Sequence, residues 1–204
     1  MKCWFRNTTW NDSVQRAFDK KLRRAHKKDQ YLRIQATTLA RTHPDVALRL
    51  LDLYFALPEA VDRVQAHVDR ATALLALGRV DEAIASYEAA LAREARFPNP
   101  LTDAYVALPY LIATRGIRER YGQALQLLKA HESRLAFPVD RFRWHAVRAL
   151  VAADSSRPEI ATKHAVRALA EVADGHSPFR GHPSLGLVTK DHDPVISKLR
   201  PYAT

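Results

Sequence analysis

Cysteine occurs once, at Cys3, in 204 residues. This excludes an intrachain disulfide and a cysteine-built zinc centre within one chain. Glycine is scarce, at six residues, and alternating β-branched runs are missing, so a sheet is not predicted. No run of about 18 apolar residues occurs, so no membrane span is expected. The opening MKCWFRNTTWND lacks the apolar core of a secretory signal. GxSxG, the phosphate-loop glycine–lysine pattern and HExxH are also absent, and Cys3 falls on an end expected to be mobile. The resulting expectation is a cytoplasmic, non-enzymatic protein with no catalytic residue, metal or cofactor. Its Ala-, Arg- and Leu-rich usage suggests a bacterial genome of high GC content.

What is present is enough apolar material for a core, 47% of residues, and a formal net charge of +10. The charge is uneven. Residues 1–30 carry nine Lys/Arg against three Asp, whereas residues 45–94 carry five Arg against nine Asp/Glu. The cationic excess therefore belongs largely to the N-terminal end.

Helical periodicity dominates. Asn11, Asp12 and Ser13 are N-cap candidates for a first helix whose Val14, Phe18 and Leu22 share a face. Further helices are predicted over 30–42, 44–56, 60–77, 80–95, 102–117, 120–135, 140–153 and 158–173, with Pro44 in a first turn. Residues 174–194 are rich in turn formers and read as irregular, before a short closing turn or helix in VISKLR.

A small alanine opens each second helix, at Ala47, Ala83, Ala124 and Ala161, giving four helix pairs at near-constant phase. Residues 64–98 resemble a tetratricopeptide repeat: Ala71, Leu74, Gly78, Ala83, Tyr87 and Ala90 fall on that family's pattern, with Pro98 about three residues late. Gly78 is expected to take positive φ and end its helix. Asp81 and Glu82 then meet the next helix's positive end. Ala71 and Ala83 should let two backbones approach, with Tyr87 filling the space where the helices splay. The other three pairs keep the hairpin length but few signature residues. The fold expected is all-α, an α-solenoid of about four antiparallel helix pairs. Residues 1–27 would form a basic N-terminal helix, 28–173 the repeats and 174–204 an irregular cap, within one domain overall. Phe179, Leu185 and Leu187 are the residues expected to cover the last hairpin.

The resemblance also places candidate sites. The family binds peptides on the first helix of each pair. The corresponding positions are Gln65, Val68, Thr72 and Leu75, then Val106, Ala113 and Ile117, then Arg143, Ala146 and Leu150. They are mainly apolar, which implies an apolar or helical protein segment as ligand rather than an acidic tail. The alternative is a groove filled by the chain's own ends.

Where the family usually has Trp and Leu, this chain has His67 and Arg70, and again His145 and Arg148. Arg63, His67 and Arg70 form one helical stripe, and Arg141, His145 and Arg148 a second. They read either as cationic ridges for a carboxylate or phosphate, or as internal ion pairs, with Glu82 or Glu88 as candidate partners of the first stripe. The basic run contributes Lys20, Lys21, Arg23, Arg24, Lys27 and Lys28. It would suit nucleic acid or an anionic surface, or else a solvated face over a docked apolar stripe. His176, His182 and His192, with Asp191 and Asp193, crowd the tail without the spacing of a metal site.

The function expected is that of a protein-binding module: an adaptor, an assembly factor or a toxin-neutralising immunity protein. Nucleic-acid binding through the basic helix is the alternative, and an enzyme on a helical scaffold the second alternative.

Overall fold

Asn11 begins the first helix as its periodicity requires: its side-chain oxygen accepts from the backbone N–H of Val14 at 3.0 Å, satisfying a donor with no helical partner. A computed structural model describes residues 3–58, 62–97, 99–173, 177 and 181–203. Among these residues there is no strand. Ten α-helices pack in adjacent pairs: α1 Asp12–Arg23, α2 Lys28–Leu39, α3 Pro44–Phe55, α4 Arg63–Ala76, α5 Val80–Arg96, α6 Ala104–Arg115, α7 Tyr121–Ala130, α8 Pro138–Asp154, α9 Pro158–Ala173 and α10 Asp193–Leu199. None of them is long and apolar enough to cross a membrane. The chain divides into two compact units, residues 1–104 and 105–204.

In the first unit, α2 packs with α3, α3 with α4, and α4 with α5. Ala47, Ala71 and Ala83 are fully buried and Tyr87 nearly so. Gly78 ends α4 at φ +72, as expected, but a Cβ built on it would meet nothing within 4 Å. Glycine is therefore required at this position by the left-handed backbone and not by a close crossing.

The amino-terminal segment is docked, contrary to the mobile end expected from sequence. Asn7 and the fully buried Gln35 of α2 exchange three hydrogen bonds at 2.8–2.9 Å. Around them Trp4 packs on Phe5, Phe18 and Tyr31, with ring centroids 4.9–5.5 Å apart. A second polar clasp ties α2 to α4. Arg33 reaches Asp62 at 3.2 Å and the buried Asp69 at 3.3 Å, while the Thr37 hydroxyl and the Gln65 amide donate to Asp69 at 2.6 and 3.2 Å. Burial raises the Asp69 carboxyl above its usual range, opposed by these donors.

In the second unit, α8 packs with α9 and also touches α7 and α10. Ala124 and Ala161, the other two phase-marking alanines, are fully buried. The irregular segment after α9 returns to the start of α8, where the Val139 N–H donates to the Gly186 carbonyl at 2.9 Å. Gly186 has φ +76, and a Cβ there would fall inside the Phe137 ring. The cap differs in part from expectation. Leu185 is 48% exposed and Leu187 half-buried, whereas Val195, Ile196 and Leu199 of α10 join the core. Phe179 lies outside the described residues.

Candidate functional site

The two cationic stripes share a sequence pattern but meet different neighbours. All three residues of the first converge on Phe55, at the end of α3. Arg63 donates to the carbonyls of Phe55 and Leu57 at 3.1 and 2.7 Å, satisfying acceptors left open where α3 ends. Its guanidinium and that of Arg70 lie 5.9 and 5.7 Å from the Phe55 ring, and His67 stacks on it at 4.8 Å. Arg70 takes Asp52 of α3 as its ion-pair partner at 3.0 Å. The internal partners of this stripe are thus on the preceding helix; Glu82, proposed from sequence, is bonded by Arg79 at 2.6 Å. Burial, then the cations Arg93, Arg70 and Arg63, push the His67 pKa down to about 4.

The second stripe faces α9. Arg141 pairs with Glu171 at 2.9 Å. The Nδ1 atoms of His145 and His164 are 2.9 Å apart, which requires one to donate and the other to accept, so both rings cannot be fully protonated. Arg148 lies 4.0 Å over the Trp144 ring, and Trp144 also contacts both histidines edge-on. Among the described residues, the buried Nε atom of Arg148 and the buried Nε1 atom of Trp144 find no hydrogen-bond partner. Both histidines are held down near 4. Burial is the first cause for each, followed for His145 by His164, Arg167, Arg148 and Arg141, and for His164 by Arg148, Arg167 and Lys163.

The groove positions do not form one open apolar surface. Val68, Val106, Ala113 and Ala146 are buried, while Gln65, Thr72, Leu75, Ile117, Arg143 and Leu150 are half-buried. Gln65 is engaged by Asp69, and Thr72 donates to the Val68 carbonyl of its own helix at 3.1 Å. In the second unit the chain's own tail occupies the face. Ala146 lies in one buried cluster with Val195, Ile196 and Leu199, with Leu150 packed against it, and Arg143 donates to His192 at 3.4 Å.

The basic run stands clear: Lys20, Lys21, Arg23, Arg24, Lys27 and Lys28 are all exposed. Trp4, Phe5 and Trp10 beside it are engaged in the aromatic cluster with Phe18 and Tyr31. Among the tail histidines, His176 is outside the described residues and His182 is exposed. His192 is buried against Phe142 and Tyr110. Among the described residues no group of three His, Cys, Asp or Glu is placed to hold a metal.

An open cleft of about 440 Å³ lies between α1 and α3. It is lined by Trp10, Val46, Leu50 and Leu53 with Gln15, Asp19, Arg49 and Asp52 at its polar positions. Leu53 is 55% exposed. Sequence reasoning missed this cleft because it depends on where α1 settles. It also missed His164 and Asp69. The Asp69 clasp had a signal: Ala66, Asp69 and Ala73 follow at i, i+3, i+7, an acid set within a buried stripe. No family model, curated protein or solved structure matches the chain.

Proposed function

We propose that the chain is a non-enzymatic, tetratricopeptide-like scaffold of antiparallel helix pairs that holds another protein. The observation that carries this reading is the apolar cleft between α1 and α3, with Leu53 more than half exposed on its wall. Support for the repeat arrangement comes from the adjacent pairs α2–α3, α4–α5 and α8–α9, the four buried phase-marking alanines and the positive φ of Gly78. Helices already clasped by Arg33, Asp69 and Gln35 lose little conformational freedom when a partner docks, which favours affinity. An adaptor, an assembly factor and an immunity protein all use such a surface. Cytoplasmic location belongs to the same proposal.

Affinity purification from the source cell tests it. One stoichiometric protein partner is expected with the wild-type chain, lost with Leu53→Glu and with Val46→Glu, both on the cleft wall, while helicity is retained. Recovery of the same partner by both variants overturns this placement of the site. Saturable turnover of a small substrate, abolished by one point substitution in a folded chain, would move the protein to the enzyme class.

The second reading, nucleic-acid binding, is favoured by six exposed cations within residues 20–28. Purification at low salt should then retain material absorbing at 260 nm. Conversion of Lys20, Lys21, Arg23 and Arg24 to Glu should release it.

A further inference from the structure

The cleft between α1 and α3 and the cationic run share a helix. Gln15 and Asp19 of α1 line one side of the cleft, with Trp10 just before the helix begins. The other side is a single face of α3: Val46, Leu50 and Leu53 follow at i, i+4 and i+7, an apolar strip about 10 Å long. That is the spacing an amphipathic helix uses for its own apolar face, and a trough between two helices is shaped to receive a third. Trp10 is braced on Phe18, with ring centroids 5.6 Å apart, so this part of the wall is set before anything docks.

Charge selects the occupant. Arg16 precedes Asp19 by three residues and Arg23 follows it by four, so both lie on its side of α1. With Lys20 and Arg24 they are exposed, whereas Phe18 on the opposite side is buried. On α3 the cleft residue Arg49 is exposed, and Asp52 is taken by Arg70 at 3.0 Å. The acid of the α1 wall is thus bracketed by two cations, and that of the α3 wall is already paired. An apolar floor with cationic lips complements an apolar stripe flanked by acids.

We propose that the occupant of this cleft is an acidic amphipathic helix of the partner, an inference that rests on reading the cleft as the protein-binding site. Its apolar side chains enter between Trp10 and Leu53. Carboxylates on its flanks meet Arg16, Lys20 and Arg23 on one lip and Arg49 on the other. The exposed cations of α1 and the exposed Leu53 then serve one ligand. A phosphodiester backbone would use the cations alone and leave the apolar strip unfilled.

Three labelled synthetic peptides of about 18 residues, long enough to form a helix, are the probes, read by fluorescence anisotropy on the full chain. The first carries leucines at i, i+3, i+4 and i+7 with glutamates on both flanks. The second has lysines in place of the glutamates, and the third is the first with its order scrambled. The first should saturate and bind at least about tenfold tighter than either of the others, more weakly as salt is added. Leu53→Glu should abolish saturation; Leu53 is 55% exposed, so the variant keeps its fold. The double variant Arg16→Gln, Arg23→Gln should weaken binding about tenfold and Arg49→Gln about threefold. Lys163→Gln with Arg167→Gln removes the same charge from the second unit and should bind as wild type. No saturation by about 1 mM acidic peptide, equal affinity for the lysine or scrambled peptide, or equal loss in the Lys163 and Arg167 variant would each overturn the proposal. So would displacement of the acidic peptide by a short DNA duplex that binds the Leu53→Glu variant equally well. If the peptides fail while Leu53→Glu and Val46→Glu still lose the cellular partner, the acidic helix falls and the cleft stands. If those variants keep the partner, the cleft itself falls as the site.

Discussion

Gly78 and Gly186 both hold positive φ, yet they answer to different constraints. Around Gly78 the space is open, so Gly78→Ala meets only the left-handed backbone penalty, about 1 kcal/mol. At Gly186 the added methyl also runs into Phe137, and Gly186→Ala should lower stability by about 2–4 kcal/mol. Urea denaturation of the two variants separates the cases; equal losses would show that Phe137 yields freely. Asp69 is the corresponding polar residue of the first unit. Asp69→Ala takes the acceptor from one guanidinium edge of Arg33 and from the Gln65 amide at a site that is nearly sealed, while the Thr37 hydroxyl keeps the Arg33 carbonyl at 2.9 Å; about 2–4 kcal/mol of stability should be lost. Asp62→Ala, at an exposed carboxylate, should lower it by less than about 1 kcal/mol.

At the scale of elements, the two Arg/His stripes show what spacing on a helix can and cannot specify. Periodicity placed Arg63, His67 and Arg70 on one face of α4, and the face is real. Which neighbour that face meets depends on the placement of α3, and Phe55, Leu57 and Asp52 became its partners. The second stripe carries the same letters and meets Glu171 and His164 instead. Helix α10 shows the same limit. VISKLR was legible as a short closing element, but its insertion against α8 was not, because a seven-residue helix carries too little pattern to declare its docking face. Leu199 is fully buried in that contact, so Leu199→Ala should destabilise by about 2–5 kcal/mol. Hydrogen exchange should then rise in α8 around Ala146 and Leu150. Unchanged exchange there would show that α10 does not cover that face.

For the molecule as a whole, acid sensitivity follows from histidines in both units. His67, His145 and His164 have folded pKa values near 4 against about 6.5 in an unfolded chain. The unfolded state therefore takes up protons first. Their contribution to stability is complete above about pH 6.5 and is lost as pH falls toward 4. Asp69 acts in the opposite sense, since its raised carboxyl pKa favours the folded state on acidification. With allowance for solvent screening at the half-buried His67 and His145, Tm should fall by about 5–10 °C between pH 7 and pH 4.5. The double variant His145→Gln, His164→Gln should show a shallower fall. An unaltered slope would mean that other groups govern the acid limb.

The amino-acid sequence by itself determined the helical class, most helix positions, the buried alanines and the left-handed stop at Gly78, because each follows from neighbours within about two turns of chain. Tertiary structure alone decided what those helices face. It turned the cationic stripes toward Phe55 and toward His164, filled the α8 face with α10, docked Asn7 on Gln35 and opened the cleft beside Leu53. These outcomes depend on contacts between residues far apart in the chain, and helical periodicity carries no information about which distant surface will arrive.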